Sequence, residues 1–291
     1  MRLCIYSLTI ACFFTNAAIA QNENLPWTVE RVMESIRNNV KPHWFETRTD
    51  SIVIGNAHDT VTGIATCMFV DLNLLKKAVA SSCNLIITHE PSFYTATDHV
   101  EDFMKDDPVL NEKVDYIKAH HLVVYRFHDN AHRNDPDQIM KGLSDDLGWE
   151  IISRRPWILG IKKLTLSALT DSLKKHLQMP GIRVIGDPDL EISRVGLVPG
   201  LAPTAQMHIG ILKRDDVDAI LVGEAREWED YIYVRDAQEL GKKKAAIFIG
   251  HFKSEEPGMK YCAEWLQTFI KGLNIVFIKN DNFWWTPDSP L

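Results

Sequence analysis

Residues 123–138 read VVYRFHDNAHRNDPDQ. A run of β-branched and aromatic side chains stops at His128 and Asp129, and His132 follows four positions after the first histidine. Asp135 and Pro136 then read as the cap and first residue of a helix. Three metal-capable side chains therefore fill the short gap between a strand and a helix. An ordinary polar loop and a ligand-bearing strand end both fit that gap taken alone. The choice depends on how the other strands end.

Two of them end the same way. NLIIT (84–88) runs into His89-Glu90-Pro91, and AAIFIG (245–250) runs into His251 with Glu255 four residues on. Largely apolar runs of five to eight residues recur along the chain, at 51–55, 63–70, 182–186, 192–198, 218–223 and 274–278. They alternate with amphipathic helical stretches near 28–40, 109–119, 166–177, 228–240 and 255–270. Asp71 is placed to cap a further helix over LNLLKKAVASS. This alternation indicates an α/β protein of two lobes, with mixed, largely parallel sheets flanked by helices. In such sheets ligands collect at the carboxyl ends of strands, so a site is expected in a cleft there. RRPW (154–157) is the expected junction between an N-terminal lobe, 21–153, and a C-terminal lobe, 154–291.

Composition narrows the function classes. With 45% hydrophobic and 24% charged residues the chain is that of a globular protein, and a net charge of −7 disfavours a nucleic-acid or anionic-membrane surface. Residues 1–20 begin with Arg2, continue through an apolar core and end in Ala18-Ile19-Ala20, the pattern of a secretory signal peptide cleaved before Gln21. The expected location is periplasmic or secreted, with no transmembrane segment after cleavage. Cleavage would leave Cys67, Cys83 and Cys262, an odd number in apolar segments, which reads as three buried thiols without disulfides.

The three strand ends together supply four histidines and several carboxylates. Imidazole nitrogen with carboxylate oxygen, and no thiolate, suits zinc, iron, manganese or nickel. That inventory exceeds the needs of one ion, and carboxylates bridge, so a pair of divalent ions is expected. Each set alone reads more simply as loop or helix-entry polarity; His251 and Glu255, for example, sit where a helix dipole favours a carboxylate. Convergence of three sets is what favours a site. His58, His99, His120, His121, His176 and His208 have no such company and read as structural.

At these residues the sequence resembles the Nif-three-like dinuclear metal family, also called GTP cyclohydrolase I type 2-like. ITHEPSFY (87–94) resembles the family's I-x-H-H-P-x-x-F, HDNAH (128–132) its H-T-N-L-D, and GHFKSE (250–255) its G-H-x-x-S-E. VGEAREW, with Glu224, and FIKNDNFWW match two looser segments. Two positions depart: Glu90 stands where the family has histidine, and His132 where it has a carboxylate. The exchange keeps three histidines and two carboxylates. The resemblance implies His89, Glu90, His132, His251 and Glu255 as metal ligands, with Asp129 as the alternative to His132, and His128 as a proton-transfer group. It also implies a homo-oligomer, up to a hexameric ring. The expected activity is that of a metal-dependent hydrolase acting on a small molecule through an activated water. The alternative is a non-catalytic metal-binding protein for storage, delivery or sensing. No Gly-rich phosphate loop accompanies the nucleotide in the family's name.

Overall fold

The computed structural model describes residues 26–202 and 204–287; the expected signal segment, 1–20, lies outside them. The chain opens with α1 (Val29–Asn39), capped by the Thr28 hydroxyl, followed by β1 (Ile52–Ile54) and β2 (Gly63–Cys67). Next is α2 (Leu72–Ala80), whose first turn donates the Leu74 N–H to Asp71 at 2.7 Å. β3 (Leu85–Thr88), α3 (Pro108–Ala119) and β4 (Val123–Arg126) follow. A short helix, α4 (Asp129–Arg133), fills the gap after β4, and α5 spans Gln138–Leu147. The expected cap at Asp135 moves to Asp137, whose carboxylate accepts from the N–H groups of Ile139 and Met140. Gly148 ends α5 in the left-handed conformation, as its sequence position suggests.

The second half begins with a hairpin, β5 (Glu150–Arg154) and β6 (Trp157–Thr165), then α6 (Leu166–His176), β7 (Arg183–Ile185) and β8 (Glu191–Leu201). α7 (Ala205–Leu212), β9 (Ala219–Glu224), a π-helical turn (Glu227–Tyr231) and α8 (Ile232–Glu239) lead to β10 (Ala245–Phe248). α9 (His251–Phe269) and β11 (Asn274–Phe277) complete the fold.

One sheet has the order β1-β4-β3-β2-β11 and the other β5-β6-β8-β9-β10-β7. In the first, β4, β3, β2 and β11 are parallel and edge strand β1 is antiparallel. In the second, only β8, β9 and β10 are mutually parallel. The fold is thus the expected mixed α/β arrangement of two sheets flanked by helices. RRPW is the turn of the β5–β6 hairpin, with Arg154 opposite Trp157, and β11 returns from the C-terminal side to pair with β2. Strand β5 escapes a search for apolar runs because it alternates exposed and half-buried residues, as an edge strand does.

The central strands β2, β3, β4 and β10 are buried along their whole length, on both faces. α9 ties the sheets together by packing against β2, β8, β9, β11 and α5. Its crossing with α5 depends on two glycines. A Cβ on Gly142 would lie 2.5 Å from the Gly258 Cα, and one on Gly258 would lie 2.5 Å from the Ile139 Cδ1. Gly258→Val is therefore expected to lose roughly 1–3 kcal/mol of stability by overpacking. An unchanged urea midpoint would count against this contact.

Candidate metal centre

β3 carries the first ligand candidates. Beyond Thr88 the chain stays beside β2, with the His89 N–H donating to the Cys67 carbonyl and that of Glu90 to the Met68 carbonyl. His89 is fully buried, and its Nδ1 lies 3.3 Å from the Phe127 carbonyl. A proton on Nδ1 for that bond leaves Nε2 with its lone pair. This Nε2 is buried without a hydrogen-bond partner, 3.5 Å from Glu255 Oε2. Burial first, then the neighbouring His132 and His128, lower the His89 pKa well below the usual imidazole value. The ring is neutral, which is the state a metal requires.

β4 delivers the second set. Asp50, just ahead of β1, accepts from the backbone N–H groups of His128, Asp129 and Asn130 at 2.7–2.8 Å and so anchors the start of α4. Sequence reasoning did not find this residue, which lies 78 positions before His128. His128 Nδ1 is 2.8 Å from Asp129 Oδ1, and the other Asp129 oxygen accepts from the Thr47 hydroxyl. His128 Nε2 then lies 3.8 Å from Glu90 Oε1. One turn on, His132 Nδ1 is 3.4 Å from Asp137 and Nε2 is 3.9 Å from Glu255 Oε1. The His89 and His128 rings stack at 4.5 Å, and His132 stands edge-on to both at 5.0 Å.

The third set lies on the first turn of α9, directly after β10. His251 Nε2 is 3.0 Å from Glu255 Oε2 and 3.1 Å from Glu90 Oε1, while Nδ1 is 3.6 Å from Glu224. Glu255 is buried, and Gly200 at the end of β8 leaves room for it: a Cβ there would sit 2.1 Å from Glu255 Oε1. Gly200 also has φ +63°, a second reason for glycine. Burial alone would lower the His251 pKa, but hydrogen bonds to Glu255 and Glu90 outweigh it and raise it to about 10. Burial likewise raises Glu90, and the His251 contacts bring it below its ordinary value.

The structure thus brings together all six sequence-derived candidates, His89, Glu90, His128, His132, His251 and Glu255. Two overlapping groups, His89/His128/His132 and His89/Glu90/Glu255, each hold ligand atoms within 4.8 Å of one another. Asp129 belongs to neither, because its oxygens are taken by His128 and Thr47. Nitrogen–oxygen ligand chemistry, a neutral orphaned Nε2 and a buried carboxylate all fit a divalent cation. Glu255 turns one oxygen toward His132 and the other toward His89 and His251, the disposition of a carboxylate able to serve two ions.

The remaining histidines have structural partners or surface positions. His208 is buried against Asp230, and His176 and His58 pair with Asp146 and Glu30. His120 caps α3 at its C-terminus and His121 follows it. Cys67, Cys83 and Cys262 are free and buried, as their apolar neighbours suggest. Among the described residues no helix is long and apolar enough to cross a membrane.

The raised His251 pKa has a measurable consequence. At pH 7 the metal-free ring holds a proton that a cation must displace, so uptake should release protons and tighten as pH rises toward about 10. Calorimetry in buffers of different ionisation heat reads this release. A heat independent of buffer would mean that His251 keeps its proton and is no ligand.

Comparison with known proteins gives concordant results. The family model described as Duf34/NIF3 (NGG1p interacting factor 3) matches residues 27–282. A Clostridium acetobutylicum protein named "GTP cyclohydrolase 1 type 2 homolog" is 24% identical over 250 residues, 79% of this chain and 87% of that protein. Among solved structures, Staphylococcus aureus protein SA1388 has a TM-score of 0.70 at 15% identity, over 90% of this chain and all of that one. A Bacillus cereus protein related to NIF3 has a TM-score of 0.68 at 13% identity, with coverage of 90% and 99%. At these identities the solved structures speak to the fold.

Proposed function

The chain belongs to the Duf34/NIF3 family, and from that premise we propose that it binds two divalent ions at this cluster and acts as a metal-dependent hydrolase. The observation that carries this reading is the buried, unpartnered Nε2 of His89 beside Glu255, whose two oxygens face different histidines. The proposed ligands are His89, Glu90, His132, His251 and Glu255; zinc, iron, manganese and nickel all suit them. Two such ions, held by these residues, would supply Lewis-acid activation of water near neutral pH.

The protein's own part is proton handling and orientation. Asp129 holds the Nδ1 side of the His128 ring, which leaves Nε2 free to take or give a proton beside Glu90. Burial raises the Asp129 carboxyl, but hydrogen bonds from Thr47 and His128 outweigh it, so it stays ionised to do this. Arg126, 3.6 Å from Glu90, holds that carboxylate from the far side.

The test is a screen of metal-loaded protein against phosphoesters, amides and lactones, paired with His128→Gln. The expected result is turnover in the wild type, lost in the variant while metal content is kept. Full metal content with no turnover of any class would favour storage, delivery or sensing. Loss of metal in His128→Gln would make His128 a ligand.

Export is the second part of the reading, and residues 1–20 support it. Protein from the native host is expected to begin at or near Gln21 and to be recovered outside the cytoplasm. N-terminal sequencing that returns an intact Met1 would end this part. Assembly of several copies, up to a six-chain ring, is likewise proposed. Light scattering at a monomer mass would count against it.

A further inference from the structure

The metal cluster forms one end of a cavity of about 730 Å³, and the rest of that cavity is of a different character. Met140 of α5, Trp157 of β6, Leu197 and Leu201 of β8, and Met207 and Ile211 of α7 line it. Leu201 and Met207, both in its lining, are 51% and 47% exposed. Among the described residues lining it there is no lysine or arginine, and Asp137 adds a third carboxylate to Glu90 and Glu255. The nearby Arg126 guanidinium is committed to Glu90, Asp98 and the carbonyls of His89 and Ala96.

A nucleoside triphosphate brings several negative charges that need cationic or backbone N–H partners once they leave water. Beyond the metal end, the first turn of α7, following its cap Thr204, brings backbone N–H groups to this wall, but the wall holds no cation and no glycine-rich loop. It supplies apolar surface. Resting on the metal-centre reading above, we propose that the substrate is an uncharged carboxylic ester, amide or lactone. Its carbonyl would lie at the histidine–glutamate end and its apolar acyl portion along Trp157, Leu197, Leu201 and Met207. Hydrolysis of such a bond consumes one water. The water oxygen bonds to the carbonyl carbon, and the acyl–oxygen or acyl–nitrogen bond breaks with its electron pair passing to the leaving atom. One water proton ends on that atom, and no electrons are gained or lost overall.

Straight-chain amides from acetamide to octanamide, and the matching hydroxamic acids, test this without relying on turnover. Binding to the full chain is read by tryptophan fluorescence, with and without zinc, and Trp157→Phe identifies the reporter. Affinity should rise roughly fourfold per methylene in both forms of the protein. Hydroxamates should surpass amides only in the zinc form, because only they chelate. Leu201→Asp, a change in the apolar wall itself, should flatten the chain-length dependence of the amides in both forms of the protein. Affinity independent of chain length in both forms, or GTP binding tighter than octanamide, overturns the inference. Chain-length dependence without any hydroxamate preference overturns the metal-centre reading instead and leaves the acyl cavity standing.

Discussion

Replacement of Glu255 by alanine is expected to strip at least one divalent ion from the protein and to weaken the remaining site. Glu255 stands within 3.9 Å of three ring nitrogens, those of His89, His132 and His251, and no other carboxylate at the site reaches as many. Removing a partner in the outer shell of a metal site costs roughly 10–100-fold in affinity, so loss of a shared ligand should exceed that. The variant also leaves the imidazoles without the buried charge that balances a cation. Elemental analysis of wild type and Glu255→Ala, purified without chelators, measures the effect. Glu255→Gln separates charge from shape: it should fill the space beside Gly200 yet still lose metal. Equal metal content in all three proteins would remove Glu255 from the site.

Sequence pattern made part of this centre legible, and the physics of period and capping explains which part. β3, β4 and β10 are largely apolar runs because both faces of each are buried. Their ends were therefore readable, and with them His89, Glu90, His128, His132, His251 and Glu255. The residues that position these side chains were not. Asp50 anchors α4 from outside β1, Gly200 clears space for a glutamate on another element, and Asp137 serves at once as helix cap and as partner of His132. None has a local signature, because each acts across a distance that only the folded chain closes. Asp135 looked the better cap through its proline neighbour, yet Asp137 makes the hydrogen bonds. The β5–β6 hairpin was hidden for another reason. A proline in a basic stretch reads as a linker, and an edge strand lacks the apolar run that marks its buried neighbours.

Exchange of Glu90 and His132 for the residues the resembled family has there should produce losses that do not add. The two positions lie at opposite ends of Glu255: Glu90 Oε1 is 3.1 Å from His251, and His132 Nε2 is 3.9 Å from the other Glu255 oxygen. Glu90→His alone leaves four histidines and one carboxylate, too little charge to balance two dications, and it also deprives Arg126 of an ion-pair partner. His132→Asp alone gives two histidines and three carboxylates, a harder site that favours oxygen-loving ions. The double variant restores the ligand count, so part of each loss should return. Coupling through one shared centre is expected to be about 0.5–3 kcal/mol, read by competitive chelator titration of the wild type, both singles and the double. Recovery should be incomplete, since Arg126 keeps only Asp98 as a carboxylate partner in the double variant. If the single losses simply add, Glu90 and His132 act on independent sites, Glu255 does not join them, and the apparent exchange of ligands between the two strand ends is coincidental.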